Sequence, residues 1–227
     1  MLFLFCSVLL LPRFPLPEYA LDWILRTEGL LQSSDLPDSL LQSANLPPAV
    51  EASVLVPLFQ MDGEWHLLFI RRVSNARDRH SGQVAFPGGR RDPADKDAIG
   101  VALREAHEEV GLSMRDINVF GELDVYRTSS NFIVTPVVAQ VPWPYPFKPQ
   151  LTEVDRIFSI PLLWLADPAN HELRDRPIKA DSTANPGSAK VVYFSSYDGE
   201  MLWGATARMT LSLLKSLHEG DIKLHES

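Results

Sequence analysis

Arg104-Glu105-Ala106-His107-Glu108-Glu109-Val110-Gly111-Leu112 closes a segment whose periodicity is that of a two-faced helix. At about 100° per residue, Ile99, Ala102, Leu103, Ala106 and Val110 fall within one narrow arc, and Glu105, Glu108 and Glu109 fall on the opposite side. The spacing predicts a helix over about 96–110, with Asp95 as N-cap and Gly111 as a left-handed stop. Residues three and four apart on a helix are neighbours, so Glu105 faces both Glu108 and Glu109, and each like-charged pair costs about 0.2–0.5 kcal/mol. A divalent cation converts that repulsion into binding, because hard ions such as Mg²⁺ are held by carboxylate oxygens and substrate phosphates. The bland alternative is a solvated acidic face. Two neighbours favour the metal: Gly88-Gly89, one loop upstream in Phe86-Pro87-Gly88-Gly89, permits backbone geometry that brings a carbonyl close to an ion. Arg104, beside the acids, can hold their carboxylates through charge-assisted hydrogen bonds.

Outward from this helix, strands alternate with turns. Ala52-Ser53-Val54-Leu55-Val56-Pro57-Leu58-Phe59 is a strand-like apolar run, Asp62-Gly63 a hairpin signal, and Trp65 to Ile70 the returning strand. Val119 to Val125 and Phe132 to Val141 read as further strands, and Pro142-Trp143-Pro144-Tyr145-Pro146 as a stiff connection. Leu162-Leu163-Trp164-Leu165 is a short apolar segment ended by Asp167-Pro168, and residues 168–188 read as a long surface loop. Val191 to Ser195 and Met201-Leu202-Trp203 are expected to pair as a last hairpin around Asp198-Gly199. Ala205 to Leu217 is expected to close the domain as a helix, with Met209, Leu213 and Leu217 on one stripe. Strands alternating with two long helices place the chain in the mixed α/β (α+β) class.

The ends differ in character. Met1 to Leu11 is almost wholly apolar, but no Lys or Arg precedes it, no small-residue cleavage site follows, and about eleven residues are too few to span a bilayer. It reads as a strand or docking segment rather than an export signal. Glu18 to Leu31 is expected to form a short helix with Leu21, Ile24, Leu25 and Leu31 on one face, and the Ser-, Pro- and Asp-rich residues 32–48 a linker. The expected division is an N-terminal extension over 1–48, one domain over 49–220 that carries the acidic helix, and a tail over 221–227. Cys6 is the single cysteine, so an internal disulfide or a cysteine-based zinc site is excluded, in keeping with a reducing, cytoplasmic setting. A net charge of −8 argues against broad nucleic-acid binding. Neither a nucleic-acid partner nor stable membrane association is expected. Oligomeric state stays open, with a homodimer one arrangement.

Gly88-Gly89, Asp95 and the Arg104–Leu112 segment resemble the Nudix hydrolase signature: Gly, five residues, Glu, seven residues, then Arg-Glu-(apolar)-x-Glu-Glu-x-Gly-(apolar). The second half matches completely. In the first half Asp95 replaces the Glu, and eight residues rather than seven separate it from Arg104. The resemblance implies a Nudix-like α/β/α sandwich with a mixed central sheet. It implies that Glu105, Glu108 and Glu109 bind Mg²⁺ or Mn²⁺ with a backbone carbonyl near Gly88 or Gly89 (Gly89 is preferred), that Glu105 helps to deprotonate water, and that Arg104, Gly88 and Gly111 are structural. A second acid from outside the helix completes such sites in the superfamily, and Glu153 is the candidate, its alternative being an ordinary surface acid. Asp95 is preferred as a cap over a ligand, and His107 as a boundary residue.

Gly82 to Pro93, Glu153-Val154-Asp155-Arg156, Pro161-Leu162, Asp167 to His171 and Trp203-Gly204-Ala205-Thr206-Ala207-Arg208 look like the coenzyme A diphosphatase branch of that superfamily. Residues 71–82, the counterpart of that branch's arginine-bearing element, run two residues longer. From Arg71 to Arg91 six Arg and one Asp give +5, and from Asp92 to Glu122 eight acids and three bases give −5. A basic lobe beside an acidic one suits a substrate phosphorylated at two places, such as coenzyme A, with Arg71, Arg77, Arg79 and Arg90 as candidate phosphate contacts. Solvated arginines are the plain alternative. Three activities compete: hydrolysis of coenzyme A or acyl-coenzyme A, hydrolysis of ADP-ribose, a nucleotide sugar or a dinucleotide, and nucleotide sensing without hydrolysis. The intact acidic trio disfavours the last.

Overall fold

In a computed structural model, which describes residues 20, 24–27, 48–74, 81–128, 130–177 and 188–220, β1 (Val50–Met61) turns at Asp62-Gly63 into β2 (Glu64–Arg72). Both turn residues have positive φ, 53° and 84°, as a two-residue hairpin matched to strand twist requires. β1 also pairs in parallel with β7 (Phe132–Gln140), from Val50 opposite Phe132 to Leu58 opposite Gln140. The main path of the sheet runs β3-β2-β1-β7-β5, with β3 at Val84–Ala85 and β5 at Asn118–Glu122. Three strands lie off that path: β4 (Gly88–Arg90) on β1, β6 (Tyr126–Arg127) on β7, and β8 (Val154–Pro161) on β2.

Strand side chains alternate between faces, and the two cores follow from that. Leu55 and Phe59 of β1, with Leu68 and Ile70 of β2, pack against Ala102, Ala106 and Val110 of helix α1 (Ala98–Val110). Val56, Leu58, Leu67 and Phe69, one residue out of phase, meet Leu211, Leu213 and Leu214 on the other face. Those leucines belong to α3 (Gly204–Glu219), and the short α2 (Leu162–Ala166) joins the same layer. The result is an α/β/α sandwich on a mixed sheet, as expected. Each fully buried Leu, Ile or Phe contributes about 1.5–3 kcal/mol relative to exposure.

Several local expectations change. α1 begins at Ala98, and its N-cap is Asp97, whose side chain accepts from Gly100 N, rather than Asp95. Asp95 is instead turned toward Arg104. Gly111 does end the helix in the left-handed region, at φ 73°. The expected loop over 168–188 contains β9 (His171–Pro177), a strand despite its charges, because β10 (Ser188–Phe194) pairs with it along its whole length. β10 was expected to pair with residues 201–203, and that contact is reduced to a single bridge, Tyr193 to Trp203. Of residues 18–31, Ala20 and 24–27 are described and helical. Ile24 is fully buried while Leu25 is 42% exposed, so Leu25 is off the expected stripe. The apolar run over 1–11, most of the linker and the tail over 221–227 lie outside the described residues. Among the described residues, no helix is long and apolar enough to cross a membrane.

Candidate functional site

β4 is a strand of three residues, and its glycines decide what the site looks like. Gly88 lies opposite Val54 and Gly89 opposite Ser53 on β1. A Cβ on Gly88 would sit 2.4 Å from Ser53 O, so strand contact itself demands glycine there. A Cβ on Gly89, on the α1 side, would sit 2.4 Å from Glu105 Oε1 and 2.5 Å from its Cδ. The Glu105 carboxylate therefore lies in a cradle that any side chain at residue 89 would fill. Burial is the main cause that raises the Glu105 pKa, and Arg104 opposes it.

Glu109 does not lie on a solvated face. It is 2% exposed, because β4 and the chain around Gln150 cover the last turn of α1. Gly88 N donates to Glu109 Oε2 at 2.9 Å, and the Arg72 guanidinium lies 3.6 Å from Oε1. Desolvation dominates these two attractions and, with the charges of Glu105 and Glu153, pushes the Glu109 pKa up to about 7. Glu108 remains outward, 56% exposed on its side chain.

Arg104 organises the outer edge. Its Nε and Nη2 clasp the two oxygens of Asp95 at 3.1 and 3.0 Å. Nη1 reaches Glu105 at 3.0 Å and Glu108 at 3.1 Å, and Nη2 also donates to Arg90 O. The hydrogen bond from Arg104 leads the causes that lower the Asp95 pKa. Asp95 thus orients Arg104 rather than capping the helix, which accounts for an acid at that place in the pattern.

Glu153 arrives from the far side. Lys148 N and Gln150 N donate to the carbonyls of Val110 and Glu109, covering the open C-terminal end of α1. Glu153 N and Val154 N both donate to Gln150 O, and Val73 N donates to Glu153 O. This loop sets Glu153, itself exposed, close enough for its charge to raise the pKa of both Glu105 and Glu109.

The predicted arginines separate. Arg71 donates to Asp155 through Nε at 2.7 Å and through Nη2, and to Glu200 through Nη1 at 3.0 Å. Arg90 stacks on Phe132, 5.1 Å from guanidinium carbon to ring centroid. Arg77 and Arg79 lie outside the described residues. Arg72 was not anticipated as a partner of the acids. Successive strand residues face opposite ways, so of Arg71-Arg72 only one can face α1, and that rule was the available signal.

Among the described residues, no three His, Cys, Asp or Glu side chains converge as a ready metal cage. Arg104 holds Glu105 and Glu108 toward itself and Gly88 N holds Glu109. The donor chemistry nevertheless suits a hard divalent ion: carboxylates raised in pKa by burial and mutual repulsion, next to a glycine cradle. Mg²⁺ ordinarily keeps several waters and substrate oxygens besides one or two carboxylates.

A family model described as "NUDIX domain" matches residues 50–181. The chain is 37% identical over 166 residues to the protein of Yersinia pestis described as "Uncharacterized Nudix hydrolase NudL", spanning 73% of this chain and 79% of that one. The same figures hold for its Yersinia pseudotuberculosis counterpart. Among solved structures, a Caenorhabditis elegans Ap4A hydrolase binary complex aligns with a TM-score of 0.43 and 20% identity, over 50% of this chain and 80% of that one.

Proposed function

The chain belongs to the Nudix hydrolase family, and on that premise we propose that it hydrolyses the diphosphate linkage of coenzyme A or an acyl-coenzyme A. Water adds across the P–O–P bridge to give 3′,5′-ADP and 4′-phosphopantetheine or its acyl form. The observation that carries a diphosphatase reading is that Glu105 and Glu109 both lie against the Gly88-Gly89 strand, with the charge of Glu153 acting on both. The coenzyme A substrate rests on the sequence blocks at 82–93, 153–156 and 203–208 and on the basic stretch before α1.

Glu105 and Glu109, with Glu108 and the Gly89 carbonyl, are the residues that would hold a divalent cation, Mg²⁺ or Mn²⁺. Bound there, the cation supplies neutralisation of the phosphate oxygens and activation of water. Glu105 is the preferred base, because it is half-buried and burial raises its pKa, which strengthens it as a proton acceptor. Arg104 keeps Glu105 aligned. Glu153, held by backbone bonds on both sides, adds a second carboxylate from outside the helix. Arg77, Arg79 and Arg90 are the proposed contacts for substrate phosphate.

Incubating purified protein and Mg²⁺ or Mn²⁺ with coenzyme A, dephospho-coenzyme A and ADP-ribose tests the reading. Release of 3′,5′-ADP from coenzyme A is the expected result. Strong preference for ADP-ribose moves the protein to another nucleoside diphosphate derivative. Nucleotide binding without turnover identifies a sensor.

A further inference from the structure

β2 and β8 do not pair evenly at the site. Arg71 lies opposite Arg156 and Arg72 opposite Val154, so Asp155 is an extra residue in β8, a bulge. Bulges bend a strand and re-aim its side chains. Here the bulge falls at the step between Arg71 and Arg72, and Arg72 is the residue that reaches Glu109. Asp155 is held by the fork of Arg71, through Nε and Nη2. The remaining arm of Arg71, Nη1, goes to Glu200, which also takes Arg156 Nη1 at 2.9 Å.

Glu200 is 5% exposed, an acid with two guanidinium partners. It follows the Asp198-Gly199 turn between β10 and α3, and so lies outside the stretch 50–181 that matches the family model. Asp198 pairs with Arg156 as well. Both arginines that flank the bulge are therefore tied to one buried carboxylate on a distant segment.

We infer that Glu200 is a positioning residue for the acidic site: through Arg71 it fixes the Asp155 bulge, and with it the pairing of Arg72 opposite Val154 that anchors the end of β2 from which Arg72 reaches Glu109. The segment between β10 and α3 thereby becomes part of the machinery that shapes the site. The kinetic arm of the test rests on the diphosphatase reading above, and the spectroscopic arm does not.

The variants are Glu200→Gln, Arg72→Gln and the double change. The Arg72 side-chain Nε–H resonance, assigned by its loss in Arg72→Gln, is expected to shift or broaden in Glu200→Gln. With an accepted substrate, Glu200→Gln should lower kcat about fivefold or more at a KM within twofold of wild type. In the Arg72→Gln background the same change should cost less than twofold further. An unmoved resonance, an unchanged kcat in an active enzyme, or losses that multiply in the double variant would overturn the inference. If Glu200→Gln does not fold, Arg71→Lys keeps the charge and loses the fork that spans Asp155 and Glu200, and the same shift and kcat loss are expected of it. Should wild type hydrolyse no nucleoside diphosphate derivative, the functional reading fails and the resonance still decides the positioning role.

Discussion

Gly89→Ala adds one methyl group at a place where the distances fix its consequence. The new Cβ would lie 2.4 Å from Glu105 Oε1, 2.5 Å from Cδ and 2.7 Å from Oε2. Ordinary contact begins at 3.4 Å, so the carboxylate must retreat by about 1 Å (3.4 − 2.4). Displacing a reacting group by about 1 Å costs on the order of 100-fold in rate. The atoms displaced are the end of a flexible side chain, so the folding cost is that of an altered rotamer, about 0.5–1.5 kcal/mol. Gly88→Ala is the control. Its Cβ would meet Ser53 O at 2.4 Å and Val54 Cα at 2.6 Å, both backbone, and β4 would have to part from β1. That overpacking should cost about 1–3 kcal/mol or more. Urea unfolding and kcat in Mg²⁺ separate the two: Gly89→Ala should be stable and slow, Gly88→Ala unstable. A Gly89→Ala enzyme within threefold of wild-type kcat, or one as destabilised as Gly88→Ala, refutes the cradle.

Stability without metal should depend on pH through two opposing groups. Burial raises the Glu109 pKa to about 7 from 4.5, so the folded state holds its proton more tightly and stability falls as pH rises from about 4.5 to 7. Burial lowers the His171 pKa to about 4 from 6.5, so stability falls in the opposite direction, as pH drops from about 6.5 to 4. Each contribution amounts to about 3 kcal/mol at 1.36 kcal/mol per unit, and they offset between about 4.5 and 6.5. Wild type should look flat there, Glu109→Gln should gain stability with pH, and His171→Phe should lose it. Parallel profiles in all three would contradict the assignment. Glu109→Gln should also abolish most turnover while folding as well as wild type at pH 8, since it removes a buried charge, and a lower urea midpoint there would count against that. Asp97→Ala should cost about 1 kcal/mol as a lost helix cap, whereas Asp95→Ala should slow catalysis through Arg104, and thermal unfolding beside kinetics distinguishes them. Leu103→Ala should fall below the 2–5 kcal/mol of a fully buried leucine, because Leu103 is only half-buried. A larger loss in urea would contradict the half-buried placement of Leu103.

The helix was legible because its signal is local: a 3.6-residue apolar stripe with Gly111 at its end. The first hairpin was legible for the same reason, from Asp62-Gly63 between alternating runs. The burial of Glu109 is not legible in the helix period, because its cover comes from β4, a strand too short to leave a periodic trace. Arg72 follows Leu68 and Ile70 on the α1 face of β2, a signal that lies in strand alternation carried two residues past the apolar run. β9 was hidden because charged residues and a terminal proline make a strand only when β10 is present to pair with it. Asp95 and Asp97 each suit a cap by composition, and the choice between them turned on the reach of Arg104.

The chain that leaves β7 terminates α1 by taking up the carbonyls of Glu109 and Val110, then delivers Glu153 within three residues of Gln150. Helix end and loop are thus stitched into one block. A ligand that tugs the helix tows the loop acid with it, so the spacing between acids of separate origin survives breathing of the sandwich. An insertion between Gln150 and Glu153 would cut that tether while leaving every carboxylate in the chain.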